Sequence, residues 1–141
     1  MKTITRDMMK DYNIHKLGYD FMGYTFDRRE DLSFHHLVIP KRDCKAAGLG
    51  EGYLKWNGAI LNQNTSHDYL HIIERMDRDT FLRITAEMVE ENLKGKLDID
   101  NLKRIRELLL YFEDRYEKET NSKGQLILKR KFITKRIDIE V

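Results

Sequence analysis

The 141-residue chain has very little cysteine or proline, with one residue of each, Cys44 and Pro40. A lone cysteine cannot form an internal disulfide or a cysteine-based zinc knuckle, so we expect a reducing, intracellular setting. Long apolar runs are also missing. No stretch reaches the ~18 consecutive apolar residues of a membrane helix, and the first residues lack the apolar segment of a signal peptide. These absences favour a cytoplasmic protein without a membrane span.

An excess of charge of one sign is also lacking, since the net charge is only +2. The basic residues are nevertheless concentrated near the end of the chain, where a run without acidic residues contains Lys123, Lys129, Arg130, Lys131, Lys135 and Arg136. Such a run can contact phosphates electrostatically, although a solvated terminal segment explains it more often. We therefore divide the chain into one domain, residues 1–122, and a basic C-terminal strand or tail, residues 123–141.

The pattern of apolar residues predicts an α+β fold with one modest core. We expect helices over residues 5–16, 79–94 and 101–119, strands over 33–40 and 56–61, and a glycine-containing loop over 41–55. A further helix is predicted to start at Thr65 or Ser66, with Asp68 completing a capping box. The middle of the chain is thus a ββα unit over about residues 33–75, and the helices over about residues 79–119 support it.

Four of the five histidines fall on this ββα unit. His67 and His71 are one helical turn apart, so their imidazoles project from the same face of the helix. His35 and His36 are adjacent on a strand and point to opposite faces, so only one of them can join the helical pair. Three neutral imidazoles would form a nitrogen ligand set that suits Zn²⁺ and other first-row ions.

The helical pair also allows a different interpretation. His67-Asp68-Tyr69-Leu70-His71 is close to the H-E-x-x-H zinc helix of metalloproteases. Asp68 is one methylene shorter than the glutamate that serves as the base there, and the third ligand would have to be acidic, for example Glu74. This hypothesis leaves the His-His pair on the strand unexplained.

The order His35-His36, then Asn57, then His67-x-x-x-His71 resembles the motif of the HNH endonucleases, the ββα-metal or His-Me finger nucleases, in the histidine-rich form of the colicin DNases. The resemblance covers roughly a quarter of the chain. It implies that His35, His67 and His71 hold one divalent cation and that His36 is the general base. It also implies that Asn57 holds this base in its orientation, although in some relatives the central Asn position is itself a metal ligand.

The resemblance implies a metal-dependent endonuclease that hydrolyses phosphodiester bonds in DNA, with RNA as a possible substrate. Its cation would be Zn²⁺, Mg²⁺, Mn²⁺ or Ni²⁺. Lys41 and Arg42 directly follow Pro40 and are near enough in sequence to contact the phosphate backbone, although plain surface charge explains them equally well. The chain departs from the family pattern in its long connection between His36 and Asn57, and in having His35 where many members have aspartate. The alternative is a non-catalytic, metal-stabilised nucleic-acid-binding module, which would have no use for His36 next to a ligand. The sequence does not indicate an oligomeric state.

Overall fold

The computed structural model describes residues 2–50 and 52–130, and it combines helices with short strands. These ranges contain six α-helices: α1 (Thr3–Asp11), α2 (Ile14–Leu17), α3 (Lys41–Ala46), α4 (Ser66–Met76), α5 (Arg78–Lys94) and α6 (Ile99–Glu113). They also contain four strands: β1 (Leu32–His36), β2 (Gly58–Asn62), β3 (Tyr116–Thr120) and β4 (Leu126–Arg130). Two separate antiparallel sheets result, β1 with β2 and β3 with β4. The α+β class predicted from the sequence is confirmed.

The β1–β2 sheet lies against the helices rather than at the surface. Every residue of β2 is buried, and this strand contacts α1, α4 and α5. Helix α5 also packs on both α4 and α6. The largest side chains that are fully buried come from all these elements and from the N-terminal segment: Met8, Met9, Ile14, Phe21, Met22, Ile60, Leu61, Leu70, Ile73, Ile84, Met88 and Phe112.

The pairing of β1 with β2 fixes which way the two adjacent histidines point. His35 lies opposite Ala59, and His36 lies opposite Gly58. Gly58 is required there because a Cβ atom at this position would come within 2.1 Å of the Phe34 ring. The small partners allow the side chains of β1 to lie across the neighbouring strand.

Asp20 connects the end of β2 to the start of α4. Its buried carboxylate accepts hydrogen bonds from the backbone N–H of Met22 (2.9 Å), Tyr24 (3.0 Å) and Asn62 (2.9 Å), and from the hydroxyl of Ser66. Burial raises the pKa of Asp20, while these hydrogen bonds act in the opposite direction. The first turn of α4, which carries His67, is thereby fixed to the sheet.

Two predicted boundaries are wrong near the histidines. The first strand was expected to reach Pro40 but ends at His36, because the backbone N–H groups of Val38 and Ile39 turn to the side-chain oxygen of Asn57. The expected loop over residues 41–55 begins with α3. This helix has six residues and a single buried side chain, Cys44, so the sequence shows no apolar periodicity that would predict it.

The predicted helix over residues 101–119 ends earlier, at Glu113. Tyr116 continues the apolar spacing of the helix, but it begins β3 instead. Its ring packs on Phe112, with 4.5 Å between ring centroids, and its hydroxyl donates to the carbonyl of Met76 at 2.7 Å. The predicted helix over residues 5–16 is likewise divided, since Asn13 adopts a left-handed conformation with φ of 56° between α1 and α2.

The capping predictions had mixed outcomes. Asp98 caps α6 by accepting from the backbone N–H of Asp100 at 2.8 Å, and Gly95 ends α5 with φ of 69° as expected. The capping box at α4 was wrong. Thr65 occupies the N-cap position without a side-chain capping bond, and the Ser66 hydroxyl is bonded to Asp20 instead.

The end of the basic run lies outside the described residues, which stop at Arg130. Lys131, Lys135 and Arg136 are among the residues not described. The β3–β4 hairpin spans the predicted domain boundary at residue 122, and the division at that position stays a prediction. No helix in the described ranges is long and apolar enough to cross a membrane.

Candidate metal centre

Three histidines from two elements meet at one end of the β1–β2 sheet. His35 projects from β1, and His67 and His71 project from consecutive turns of α4. The centroid of the His35 ring lies 5.0 Å from that of His67 and 5.2 Å from that of His71, and the centroids of His67 and His71 are 4.6 Å apart. His35 is buried, His67 is half-buried and His71 is exposed. The structure thus brings together the three residues that the sequence predicted as ligands.

The arrangement fits a single metal ion. One nitrogen atom from each ring can be chosen so that all three lie within 4.8 Å of one another. The Nε2 atoms of His67 and His71 are 3.2 Å apart, close to the roughly 3.3–3.4 Å expected for two nitrogens that each lie ~2.0–2.1 Å from a tetrahedral Zn²⁺. Within the described chain, the buried Nε2 of His35 has no hydrogen-bond partner. Such an orphaned nitrogen is costly unless a ligand satisfies it, so this group could hold a metal ion.

Burial and neighbouring charges keep two of these imidazoles, His35 and His67, in the neutral form that binds metals. Burial, followed by the charges of His67, His71 and His36, lowers the pKa of His35 to about 3. Burial and the neighbouring His71 also lower the pKa of His67. Neutral imidazole has a lone pair to donate, whereas imidazolium has none. His35 and His67 are therefore available to a cation at neutral pH.

Glu74 is an additional residue of this centre. Its Oε1 lies 3.4 Å from Nδ1 of His71, and its Oε2 lies 3.8 Å from a guanidinium nitrogen of Arg78. A carboxylate on Nδ1 favours the tautomer with a hydrogen on that atom and leaves Nε2 available for the metal. From the sequence, Glu74 was expected only as an acidic ligand in the metalloprotease hypothesis. The three-residue spacing from His71 on α4 was the signal that could have identified this contact.

His36 projects to the other side of β1, yet it lines the same cleft as the three histidines. The cleft has a volume of about 420 Å³. The His36 ring contacts the rings of Phe34 and Tyr53, with centroids 5.1 and 5.2 Å away. The structure therefore places His35 among the three converging histidines, which we call the metal group, and places His36 in the wall of the cleft beside them.

Asn57 is buried and holds the turn that follows His36. Its side-chain oxygen accepts from the backbone N–H groups of Val38 (3.0 Å) and Ile39 (2.9 Å), and its amide nitrogen donates to the Ile39 carbonyl at 3.0 Å. The backbone carbonyl of Asn57 accepts from Leu37 at 2.9 Å. These bonds fix the backbone immediately after His36, which is how Asn57 can orient that side chain.

The structure separates the two basic residues that were predicted to contact phosphate. Lys41 lines the cleft, and its Nζ lies 5.8 Å from the centroid of the Tyr53 ring. Arg42 is not among the described residues that line the cleft, and its guanidinium pairs with Asp43 at 3.2 Å. Arg78, at the start of α5, also lines the cleft. Sequence reasoning missed Arg78 because its proximity depends on how α5 packs on α4.

Asp68 does not line the cleft that contains His36. It lies instead in a second cavity, which α4 forms with the β3–β4 hairpin. A catalytic base following the first histidine of the H-E-x-x-H pattern would have to face the substrate beside the metal. Asp68 shares this second cavity with His71, but the third residue of the group is His35, which takes the place of the acidic third ligand that the metalloprotease hypothesis needs.

Comparisons with known proteins give no match: no protein-family model, no curated protein and no solved structure is significantly similar to this chain. The resemblance to the HNH endonucleases therefore rests on the residues of this chain alone. What the fold and site define is an α+β protein with a three-histidine group that could hold a metal ion.

Metal affinity is expected to depend on this group. His67→Ala and His71→Ala each remove one of three nitrogen donors and should abolish tight binding of Zn²⁺ in calorimetric titration. Glu74→Gln should weaken binding by about 10- to 100-fold, the usual effect of losing the partner of a ligating histidine. His15→Ala, an exposed histidine on α2, is the matched control and should keep wild-type affinity. Equal affinities for His67→Ala and His15→Ala would contradict the assignment.

Proposed function

We propose that the chain is a metal-dependent endonuclease of the HNH type, in which β1, β2 and α4 form a ββα-metal core. The observation that carries the proposal is the division of the adjacent histidines. His35 belongs to the metal group, whereas His36 lines the same cleft from the other side of the strand. A purely structural metal site would require His35 but would have no use for His36.

The reaction is the hydrolysis of a phosphodiester bond. Water attacks the phosphorus atom, His36 accepts the proton that the water loses, and the bond from phosphorus to the departing 3′ oxygen breaks. That oxygen then takes up a proton. A divalent cation held by His35, His67 and His71 would supply the positive charge that stabilises the phosphate and the departing oxygen. Asn57 is a positioning residue in this proposal, acting through the backbone that follows His36.

Two cationic side chains give the cleft its affinity for phosphate. Lys41 from α3 and Arg78 from α5 both line the cleft that the histidines line. Arg78 can form two parallel hydrogen bonds to one phosphate, whereas Lys41 acts as a point charge. The substrate is DNA, with RNA an alternative because these contacts involve the phosphate backbone. Three imidazole donors favour Zn²⁺ or Ni²⁺ over Mn²⁺ and Mg²⁺, which prefer oxygen ligands.

The proposal is tested by cleavage. Purified protein, freed of metal with a chelator and reloaded with Zn²⁺, Mn²⁺, Ni²⁺ or Mg²⁺, is incubated with supercoiled plasmid, single-stranded DNA and RNA. Conversion of the plasmid to nicked or linear forms is expected with at least one ion and should be lost with His67→Ala. If no combination is cleaved but nucleic acid is still bound, the non-catalytic binding module becomes the better interpretation.

A further inference from the structure

The second cavity of the molecule adjoins the metal centre. It has a volume of about 640 Å³ and lies between α4 and the β3–β4 hairpin. His71 lines this cavity as well as the cleft that holds His36. The metal group therefore stands on the border between two cavities that open on different flanks of α4.

The chemistry of the second cavity suits a sugar–phosphate chain. Arg75, which is exposed on α4, and Lys118 from β3 supply two cations. Asn64 and Gln125 add side-chain amides, which can donate to phosphate oxygens or to the sugar. Asp68 is the acidic residue in the lining, so the lining itself carries one more cation than anion, while Glu113 beside it pairs with Lys118.

An aromatic wall completes this cavity. The Tyr69 ring lies beneath Lys118, with Nζ 5.5 Å from the ring centroid, and its hydroxyl is bonded to Glu113 at 2.7 Å. The same glutamate pairs with Lys118 at 3.4 Å. These contacts place the half-exposed ammonium group of Lys118 beside the aromatic ring. An aromatic surface with cations along it is the usual arrangement for a nucleic-acid strand.

We propose that this second cavity is a nucleic-acid subsite, in which Arg75 and Lys118 hold the phosphates that flank the scissile bond. The inference builds on the proposed nuclease function, in that the strand would continue from the first cleft, past His71, into the second cavity. A site that is open on both sides of the metal accepts the interior of a polymer. It would therefore cut within a strand rather than remove terminal phosphates.

The test is equilibrium binding, which does not require cleavage. Fluorescence anisotropy measures the affinity of a labelled 20-nucleotide single strand for the His36→Ala protein, with and without Arg75→Gln and Lys118→Gln together. Each lost phosphate contact removes about 0.7 from the slope of log affinity against log salt for a single strand. We expect the double change to weaken binding about 10- to 30-fold at 0.1 M salt and to reduce the slope by about 1.4.

A matched control removes the same charge elsewhere. Arg83→Gln with Lys103→Gln changes two exposed cations on α5 and α6 that line neither cavity, and it should alter affinity less than threefold. Arg75→Gln alone leaves the Lys118–Glu113 pair intact and should give about half of the decrease in log affinity that the double variant shows. Equal affinities and salt slopes for the two double variants would overturn the subsite, as would the absence of any binding at low salt. If only the Arg75 and Lys118 changes weaken binding, and the wild-type protein cleaves no nucleic acid, the subsite is supported and the nuclease function is rejected.

Discussion

His36→Ala is expected to lower the rate of metal-dependent phosphodiester cleavage by roughly 10²–10⁴-fold, the usual contribution of a general base. The imidazole lines the cleft beside the metal group, and without it no side chain at this position can take the proton from the attacking water. Single-turnover cleavage of a labelled oligonucleotide measures the effect. The matched control is His15→Ala, which removes an exposed imidazole on α2 and should leave the rate unchanged.

The same variant separates a general base from a ligand. His36 is not one of the three histidines whose nitrogens converge, so His36→Ala should bind Zn²⁺ with wild-type affinity. A parallel loss of metal and activity would mean that His36 holds the cation and that the base is another group. Cleavage at the wild-type rate by the variant would mean that His36 is not the general base.

Much of the candidate site was predictable because it depends on local geometry. The four-residue spacing of His67 and His71 fixes their common face on any helix, and the alternation of a strand separates His35 from His36. The position of Asn57 was harder to predict. Its hydrogen bonds reach Val38 and Ile39 across the long connection between the strands, and no spacing rule describes such a contact.

Apart from Glu74, whose contact with His71 is local to α4, the residues that the sequence did not reveal depend on tertiary packing. Arg78 reaches the cleft because α5 packs on α4, and Tyr53 reaches His36 because the connection after α3 returns to β1. The basic run gave an incomplete indication of the charged surface. Lys118 precedes that run, yet it lies in the cavity beside the metal group. A sequence pattern therefore predicts ligands that lie on one helix or strand better than it predicts the residues that line a cavity from several elements.

Glu91 shows the same limitation in the core. The residue lies on the buried face of α5 and is 0% exposed, and neither of its carboxylate oxygens has a hydrogen-bond partner within the described chain. Burial, followed by the charges of Asp20, Asp98 and Glu87, raises its pKa to about 9. The helical spacing from Ile84 and Met88 places Glu91, and not Glu90, on this buried face. The spacing does not predict that a glutamate there is buried without a hydrogen-bond partner.

The raised pKa of Glu91 should make the folded protein less stable as the pH rises. Between its ordinary pKa of 4.5 and about 9 the folded state keeps a proton that the unfolded state has released. The free energy of unfolding then falls by about 1.4 kcal/mol per pH unit from this group. Glu91→Gln keeps the shape and cannot ionise. Its stability relative to the wild type should therefore increase by about 4 kcal/mol between pH 5 and pH 8.

Urea denaturation of the metal-free proteins at both pH values measures this difference. His35 contributes the opposite trend, because its lowered pKa makes stability rise with pH up to the ordinary histidine pKa of 6.5. That contribution is common to both proteins and cancels when the variant is compared with the wild type. Glu90→Gln, at the exposed neighbour, should follow the wild type throughout. If the Glu91→Gln and Glu90→Gln proteins show the same pH dependence, Glu91 is ionised in the folded state and has a compensating cation.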